Sequence, residues 1–266
     1  MTTVVVTFNR PEYLELCVIS LVKTTPKDHR VLVVDNASTD HTGEVLTGLI
    51  HNFPGKVFRH NSEINLGCAL GRNRGWKILN SMTDEDDYFG MSDDDFYYND
   101  GWYEASRWAL DHFPTAGLAT CHNDQNRGEW PREGRIEFRD VITTASCMMR
   151  KECFRKTKGY TNRSKVLGWV SRDFCRRIIT SGYEIVRYIP QKSGVRLVES
   201  MDHSHNSKNL KAHYINTGYS YLREQAKRGQ LDVGDVEKQN SLLEEGKRNT
   251  YIPPIKRVDF KRGKRG

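Results

Sequence analysis

Six cysteines stand in a chain of 266 residues (Cys17, Cys68, Cys121, Cys147, Cys153 and Cys175), and no two of them form a CxxC pair. The scatter argues against a structural zinc site or a dithiol redox motif. It fits a reducing compartment in which thiols serve as small buried hydrophobes. No stretch approaches the ~18 consecutive apolar residues of a membrane span, so no transmembrane segment is expected. The first nine residues, Met1-Thr-Thr-Val-Val-Val-Thr-Phe-Asn9, lack a basic n-region and a cleavage site; they read as a first core strand rather than a removed signal peptide. The chain has no internal repeat. A cytoplasmic protein is the expectation.

What is present suits a folded globule: 37% of residues are hydrophobic and 10% aromatic, in a length that serves for one large domain or two fused halves. The net charge of +7 is concentrated at the end, where Lys256, Arg257, Lys261, Arg262, Lys264 and Arg265 crowd the last eleven residues. Such a tail suits nucleic acid, an anionic membrane surface or another polyanion. The alternative is a solvated, disordered end.

Period and punctuation predict strand and helix in alternation. Thr3 to Phe8 is a β-branched strand broken at Asn9-Arg10-Pro11, and Pro11 opens a helix through Lys23. Val31 to Val34 is a second strand ending at Asp35-Asn36, and Thr39 or Asp40 caps the next helix. Val57 to Arg59 is a short strand, Gly67 to Leu79 a helix, and Asp87 to Met91 a buried strand. This order makes a parallel, doubly wound sheet. Further on, helices are expected over Trp102 to His112, Lys151 to Lys156, Val170 to Thr180 and Lys208 to Arg228. Strands are expected over Gly117 to Cys121, Ile142 to Met149 and Glu184 to Ile189, with a loop over 122–134.

Ser92-Asp93-Asp94-Asp95 is the most informative stretch. Three consecutive carboxylates at the carboxyl end of a buried strand repel one another, and a hard divalent cation such as Mg²⁺ or Mn²⁺ relieves that repulsion through oxygen ligands. Open α/β sheets also bind ligands just beyond strand carboxyl ends. Asp84-Glu85-Asp86-Asp87, just upstream, reads as an ordinary acidic loop.

Taken in order, Val5-Val-Thr-Phe-Asn-Arg10, Val33-Val-Asp-Asn-Ala-Ser-Thr-Asp40, Asn65-Leu-Gly67 with Arg72-Asn73, and the aspartate cluster resemble family 2 glycosyltransferases of the GT-A fold. Ala145 to Arg150, Cys153-Phe154, Lys158-Gly-Tyr160, Gly168-Trp169, Asp173-Phe174 and Gly182-Tyr183 extend the resemblance, which spans roughly residues 3 to 190. It implies an α/β, Rossmann-like, mostly parallel sheet flanked by helices, with a smaller mixed subregion on the acceptor side. Residues 1–200 would form the glycosyltransferase domain, 1–95 as its nucleotide-sugar half and 96–200 as its acceptor half. Residues 201–266 would be a helical extension with a basic tail.

The resemblance also implies roles. Thr7, Phe8 and Asn9 would face a nucleotide base. Asp35 and Asn36 would bond a uracil imide or a ribose hydroxyl, although an Asx-turn explains the same residues. Arg72 and Asn73 would lie near base or phosphate, with a plain surface arginine as the alternative for Arg72. Asp94 would hold the metal, Asp93 the ribose or a metal-bound water, and Asp95 competes as a ligand. Asp173, preceded by Arg172 where the family carries an acid, would be the base that takes the acceptor proton. An Asp stabilised by the helix dipole explains the same position. His205, with His203 beside it, would reach the diphosphate or metal; surface histidines are the alternative. Trp130, Trp169 and Tyr160 would offer aromatic faces to a sugar.

The function implied is transfer of a sugar from a nucleotide sugar, UDP-linked by expectation, to a hydroxyl on a glycan or glycolipid. It would be assisted by Mn²⁺ or Mg²⁺ and proceed with inversion, a retaining course remaining open. A DNA-modifying glycosyltransferase acting on hydroxymethylated bases is a second reading, which the basic tail suits. A non-catalytic nucleotide-sugar binding protein is a third. A sugar-phosphate nucleotidyltransferase would need a Gly-rich, basic loop after the first strand, which Phe8-Asn9-Arg10-Pro11 does not provide.

Overall fold

Two uninterrupted apolar runs, Val4-Val5-Val6 and Val31 to Val34, demand strands covered on both faces. A computed structural model describes residues 1–82, 85–122, 135–161, 170–189 and 197–201. In it β1 (Thr2–Thr7) and β2 (Arg30–Asp35) lie at the centre of the nucleotide-side sheet, paired in parallel register from Thr2↔Arg30 to Thr7↔Asp35. Alternation along them sorts the core into two layers. Val5, Val31 and Val33 pack with Leu14, Val18 and Leu21 of α1 (Pro11–Lys23) and with Leu46 and Leu49 of α2 (Thr42–Asn52). Val4, Val6, Leu32 and Val34 pack on the other face with Ala69 and Leu79 of α3 (Gly67–Ser81).

Pro11 starts α1 as the sequence predicts, whereas the N-cap of α2 is His41 rather than Thr39 or Asp40. Pro11 occupies the first turn of α1, where its missing N–H costs nothing. The Asp40 carboxylate accepts from the Thr42 amide at 3.0 Å, at the head of α2. Gly75 lets α3 lie close against the sheet, since a Cβ there would stand 2.2 Å from Val4 Cγ1.

With β3 (Val57–Asn61), β4 (Tyr88–Asp93), β6 (Ala116–Thr120), β7 (Arg135–Phe138), β8 (Ser146–Arg150) and β9 (Glu184–Ile189), the main sheet has eight strands in the order β3-β2-β1-β4-β8-β6-β9-β7. Strands β3, β2, β1 and β4 are parallel neighbours, and β6 pairs parallel with β9. Strands β8 and β7 run antiparallel to their neighbours, giving a mixed second half. Helices α4 (Trp102–His112), α5 (Lys151–Thr157) and α6 (Val170–Thr180) cover that half. A small second sheet pairs β5 (Phe96–Tyr98) antiparallel with β10 (Val198–Ser200).

Three departures from the sequence expectation have a common cause. Strands β5, β7 and β10 carry too few residues for a period to show, and each is made by a long-range partner: Ser200↔Phe96 in one case, Phe138↔Val186 in another. The strand expected over Ile142 to Met149 begins only at Ser146, because the Thr144 amide turns to the Ser171 hydroxyl at 3.1 Å. The helix expected from Lys208 and the tail beyond it lie outside the described residues.

Candidate active site

The parallel strands deliver three chain ends to one edge. At the end of β4 the cluster is built over a floor of buried hydroxyls. Ser92 Oγ donates to the Asp93 carbonyl at 2.7 Å, Tyr98 Oη donates to Ser92 Oγ at 2.7 Å, and the Cys17 thiol points at the same carbonyl at 3.6 Å. Burial pushes the Cys17 and Tyr98 acidities far out of reach, so this floor is neutral. The Asp93 amide donates to the Ala145 carbonyl at 2.7 Å, tying the end of β4 to the residue before β8.

Each carboxylate of the cluster meets a cation of the chain itself. Arg72, on α3 and 2% exposed, donates through Nη2 to Asp93 Oδ1 at 2.6 Å and through Nη1 to the Thr144 hydroxyl at 3.3 Å. Burial alone would lower the pKa of that guanidinium, but Asp93 more than reverses this and holds it charged. Arg10, at the mouth of β1, places a single nitrogen, Nη1, 3.2 Å from Asp94 Oδ1 and 3.3 Å from Asp95 Oδ2. Thr7 Oγ1 donates to Asp94 Oδ2 at 2.7 Å. Burial raises the Asp94 pKa to about 7, with Arg10 and Thr7 opposing the rise and Asp95 and Asp93 adding to it.

The end of β2 forms the adjoining wall. Asp35 Oδ1 accepts the amide of Ser38, three residues on, at 2.9 Å, across a turn in which Ala37 stands at φ +67. Asn9 sits at φ +53 in the facing turn, accepting the Thr39 amide at 2.7 Å through Oδ1 and donating its own amide to Ser38 Oγ at 3.0 Å. Asparagine tolerates that conformation and alanine does so at a cost, so both turns are fixed by their mutual bonds. Phe8 lies half-buried between them. Asn36 closes the wall from within: its amide donates to Asn65 Oδ1 at 2.9 Å and to the Gly67 carbonyl at 3.3 Å, and its oxygen accepts the Leu66 amide at 2.8 Å.

Thr7, Asp94 and Asp95 are thus brought together in one polar network with Arg10, beside the separate Asp93–Arg72 pair, while Asp35 lies in register with Thr7 on the next strand. Asn73 is turned away from them; it exchanges two hydrogen bonds with the Tyr160 backbone, at 2.7 and 2.9 Å. Tyr160 itself is 3% exposed and stacks on Phe174 at 4.2 Å between ring centroids, so its face belongs to the core and not to a sugar platform. Trp130, Trp169, His203 and His205 lie outside the described residues.

Asp173 sits in the first turn of α6, held by the Thr161 hydroxyl at 2.6 Å and by Arg177 Nε at 3.0 Å. Its helix is tied to the aspartate cluster through a polar chain, from Asp93 to Arg72, to Thr144, and on to the Ser171 hydroxyl at 3.0 Å. Sequence reasoning missed Arg10, Thr144 and Ser171. The signal for Arg10 was electrostatic: three adjacent carboxylates require compensating cations, and an arginine stands at the next strand end.

A model of the "Glycosyl transferase family 2" domain matches residues 2–179. The chain belongs to that family. No curated protein matches this family 2 glycosyltransferase by sequence. Among solved structures it is similar to the mannosyltransferase PcManGT from Pyrobaculum calidifontis, in complex with GDP-Man and Mn²⁺, at a TM-score of 0.59 and 14% identity, over 94% of this chain and 72% of that one. It is also similar to GalNAc-T7 with UDP, GalNAc and Mn²⁺ (TM-score 0.58, 15% identity, 92% of this chain) and to TarS of S. aureus (0.54, 15%, 94%). The chain spans 54% of the length of each of these two. The glycosyltransferase has the GT-A fold and transfers a sugar from a nucleotide-sugar donor. Among its described residues no helix is long and apolar enough to cross a membrane.

The donor set suits a hard cation. Among the described residues no three Asp, Glu, His or Cys side chains gather as a closed metal centre. Two carboxylates, Asp94 and Asp95, converge on one positively charged point. Mg²⁺-type ions are commonly bound that way, by one or two carboxylates with substrate phosphates and water completing the shell.

Proposed function

We propose that this glycosyltransferase moves a sugar from a UDP-linked donor to a hydroxyl of a glycan or glycolipid, by a single inverting displacement assisted by Mn²⁺ or Mg²⁺. The observation that carries the reading is the convergence of Asp94 and Asp95 on one cationic point at the end of β4, beside the ends of β1 and β2. Asp94 and Asp95 would hold the ion. When bound there, it would neutralise charge developing on the departing nucleoside diphosphate. Asp93, fixed by Arg72, would accept a ribose hydroxyl, and Asp35 with the Thr7–Asn9 backbone would border the nucleoside. The solved complexes of PcManGT with GDP-Man and of GalNAc-T7 with UDP, both containing Mn²⁺, support this placement by analogy of fold.

Asp173 is the base of the reading. It lies in the first turn of a helix held in place by the Arg177 side chain and the Thr144–Ser171 pair, and Thr161 orients one of its oxygens. Its side chain is 38% exposed, open to an acceptor hydroxyl. The test is a division of labour between two variants. Asp94→Asn abolishes metal-dependent binding of the UDP-sugar measured by calorimetry. Asp173→Asn keeps that binding and lowers transfer by ~10²–10⁴-fold, the size of a general-base contribution. Full transfer activity in Asp173→Asn would remove the base assignment, and unaltered binding in Asp94→Asn would remove the metal assignment.

A further inference from the structure

Arg10 is the less buried of the two arginines that meet the aspartate cluster. It stands at the mouth of α1 with its guanidinium 4.5 Å from the centre of the Tyr13 ring, and it bridges Asp94 and Asp95 through one nitrogen. Arg72, by contrast, is a deeply buried strut with its own carboxylate, Asp93. The two arginines therefore divide the cluster: one cation is built into the core, and the other sits on the two carboxylates that the metal reading requires. That second cation has an aromatic face beneath it and a side chain 14% exposed, so it has room to leave and a surface to rest on.

We propose that Arg10 holds the divalent cation's place in the metal-free enzyme and is exchanged for it. A divalent ion ligated by Asp94 and Asp95 and a guanidinium nitrogen on the same two oxygens repel each other, so the two occupy the pair in turn. On Asp94 and Asp95 the arginine cancels part of the repulsion among three adjacent acids and keeps the end of β4 in order. With Asp94 and Asp95 holding the ion, the Arg10 guanidinium would be available to bind the donor's diphosphate. Loading of metal and loading of nucleotide are coupled through this one side chain. The inference rests on the metal-dependent reading above, and its test separates the two.

The probe is Mn²⁺ alone, followed by electron paramagnetic resonance at pH 8, with wild type and Arg10→Met compared in the absence of nucleotide. Methionine keeps the packing over Tyr13 and removes the charge. The exchange predicts that Arg10→Met binds Mn²⁺ at least about tenfold more tightly, because no cation has to be displaced. Equal or weaker binding by Arg10→Met overturns the exchange while leaving the metal reading intact. Absence of Mn²⁺ binding by either protein, with or without UDP, overturns both. Binding by Arg10→Met alone makes Arg10 a permanent substitute for the ion and overturns exchange. Should Arg10→Met not fold, the wild-type guanidinium signal of Arg10 answers the question by nuclear magnetic resonance, assigned by its loss in Arg10→Lys. Saturating Mg²⁺ shifts that signal if the exchange occurs; an unmoved signal in a Mg²⁺-saturated protein refutes it.

Discussion

The Asp93–Arg72 pair should respond asymmetrically to the loss of its two members. Arg72 is 2% exposed and Asp93 has a side chain 30% exposed, at an N–O distance of 2.6 Å. Removing Asp93 leaves a charged guanidinium in the core, with the Thr144 hydroxyl as an incomplete substitute. Stranding one partner of a buried pair in this way costs about 3–5 kcal/mol. Removing Arg72 strands a carboxylate that water already reaches, and methionine refills the space of the arginine stem. That change should cost about 1–2 kcal/mol, chiefly the lost hydrogen bonds. The expected order of stability is therefore wild type, then Arg72→Met, then Asp93→Ala. The double variant should be more stable than Asp93→Ala, since no orphaned cation remains. Urea denaturation of the four metal-free proteins, followed by far-ultraviolet circular dichroism, reads all three comparisons. A loss below about 1 kcal/mol in Asp93→Ala, or a larger loss in Arg72→Met, would refute the burial argument.

Burial holds the Asp94 pKa at about 7, above its unfolded value. This contribution to stability is therefore complete below the unfolded carboxylate value near 4 and is lost as pH rises through about 7. Metal-free wild type should lose this share of stability between those limits, and Asp94→Asn should not; parallel pH–stability curves would contradict it. Gly48→Ala, facing open space within α2, should gain about 0.5–1 kcal/mol from helix propensity. Gly75→Ala should lose about 1–3 kcal/mol because its new methyl collides with Val4, and a shared sign in thermal denaturation would contradict that packing. Asn73→Ala should cost about 1–3 kcal/mol by leaving the Tyr160 backbone without its two bonds, with amide exchange at Tyr160 accelerated; unchanged exchange would mean the bonds do not hold that turn.

Much of this molecule is written in short-range pattern. The runs at Val4–Val6 and Val31–Val34, the Pro11 start and the period of α1 make the doubly wound half legible, the periods of α4 and α6 mark helices of the mixed half, and the aspartates at the end of β4 mark the candidate site. What cannot be read locally is what tertiary contact decides. Phe96–Tyr98 becomes a strand only because Val198–Ser200 lies beside it. Arg10 and Asp94 are 84 residues apart, so nothing in either neighbourhood announces their pairing. Arg72 and Asn73 sit side by side in sequence, yet one faces the cluster and the other the Tyr160 turn, a division set by the rotation of α3. Asp35 spends one carboxylate oxygen on the Ser38 amide of its own turn, a bond that the motif's spacing alone does not separate from a ligand contact.

Metal-assisted transfer is best tested by nucleotide release from a panel of UDP-, GDP- and TDP-sugars, with and without Mn²⁺, in wild type and Asp94→Asn, with short glycan acceptors present. Mn²⁺-dependent release from UDP-linked donors, lost in Asp94→Asn, is the expected result. Release that ignores both the metal and the Asp94→Asn substitution, or no metal-dependent turnover or binding of any donor, would contradict it.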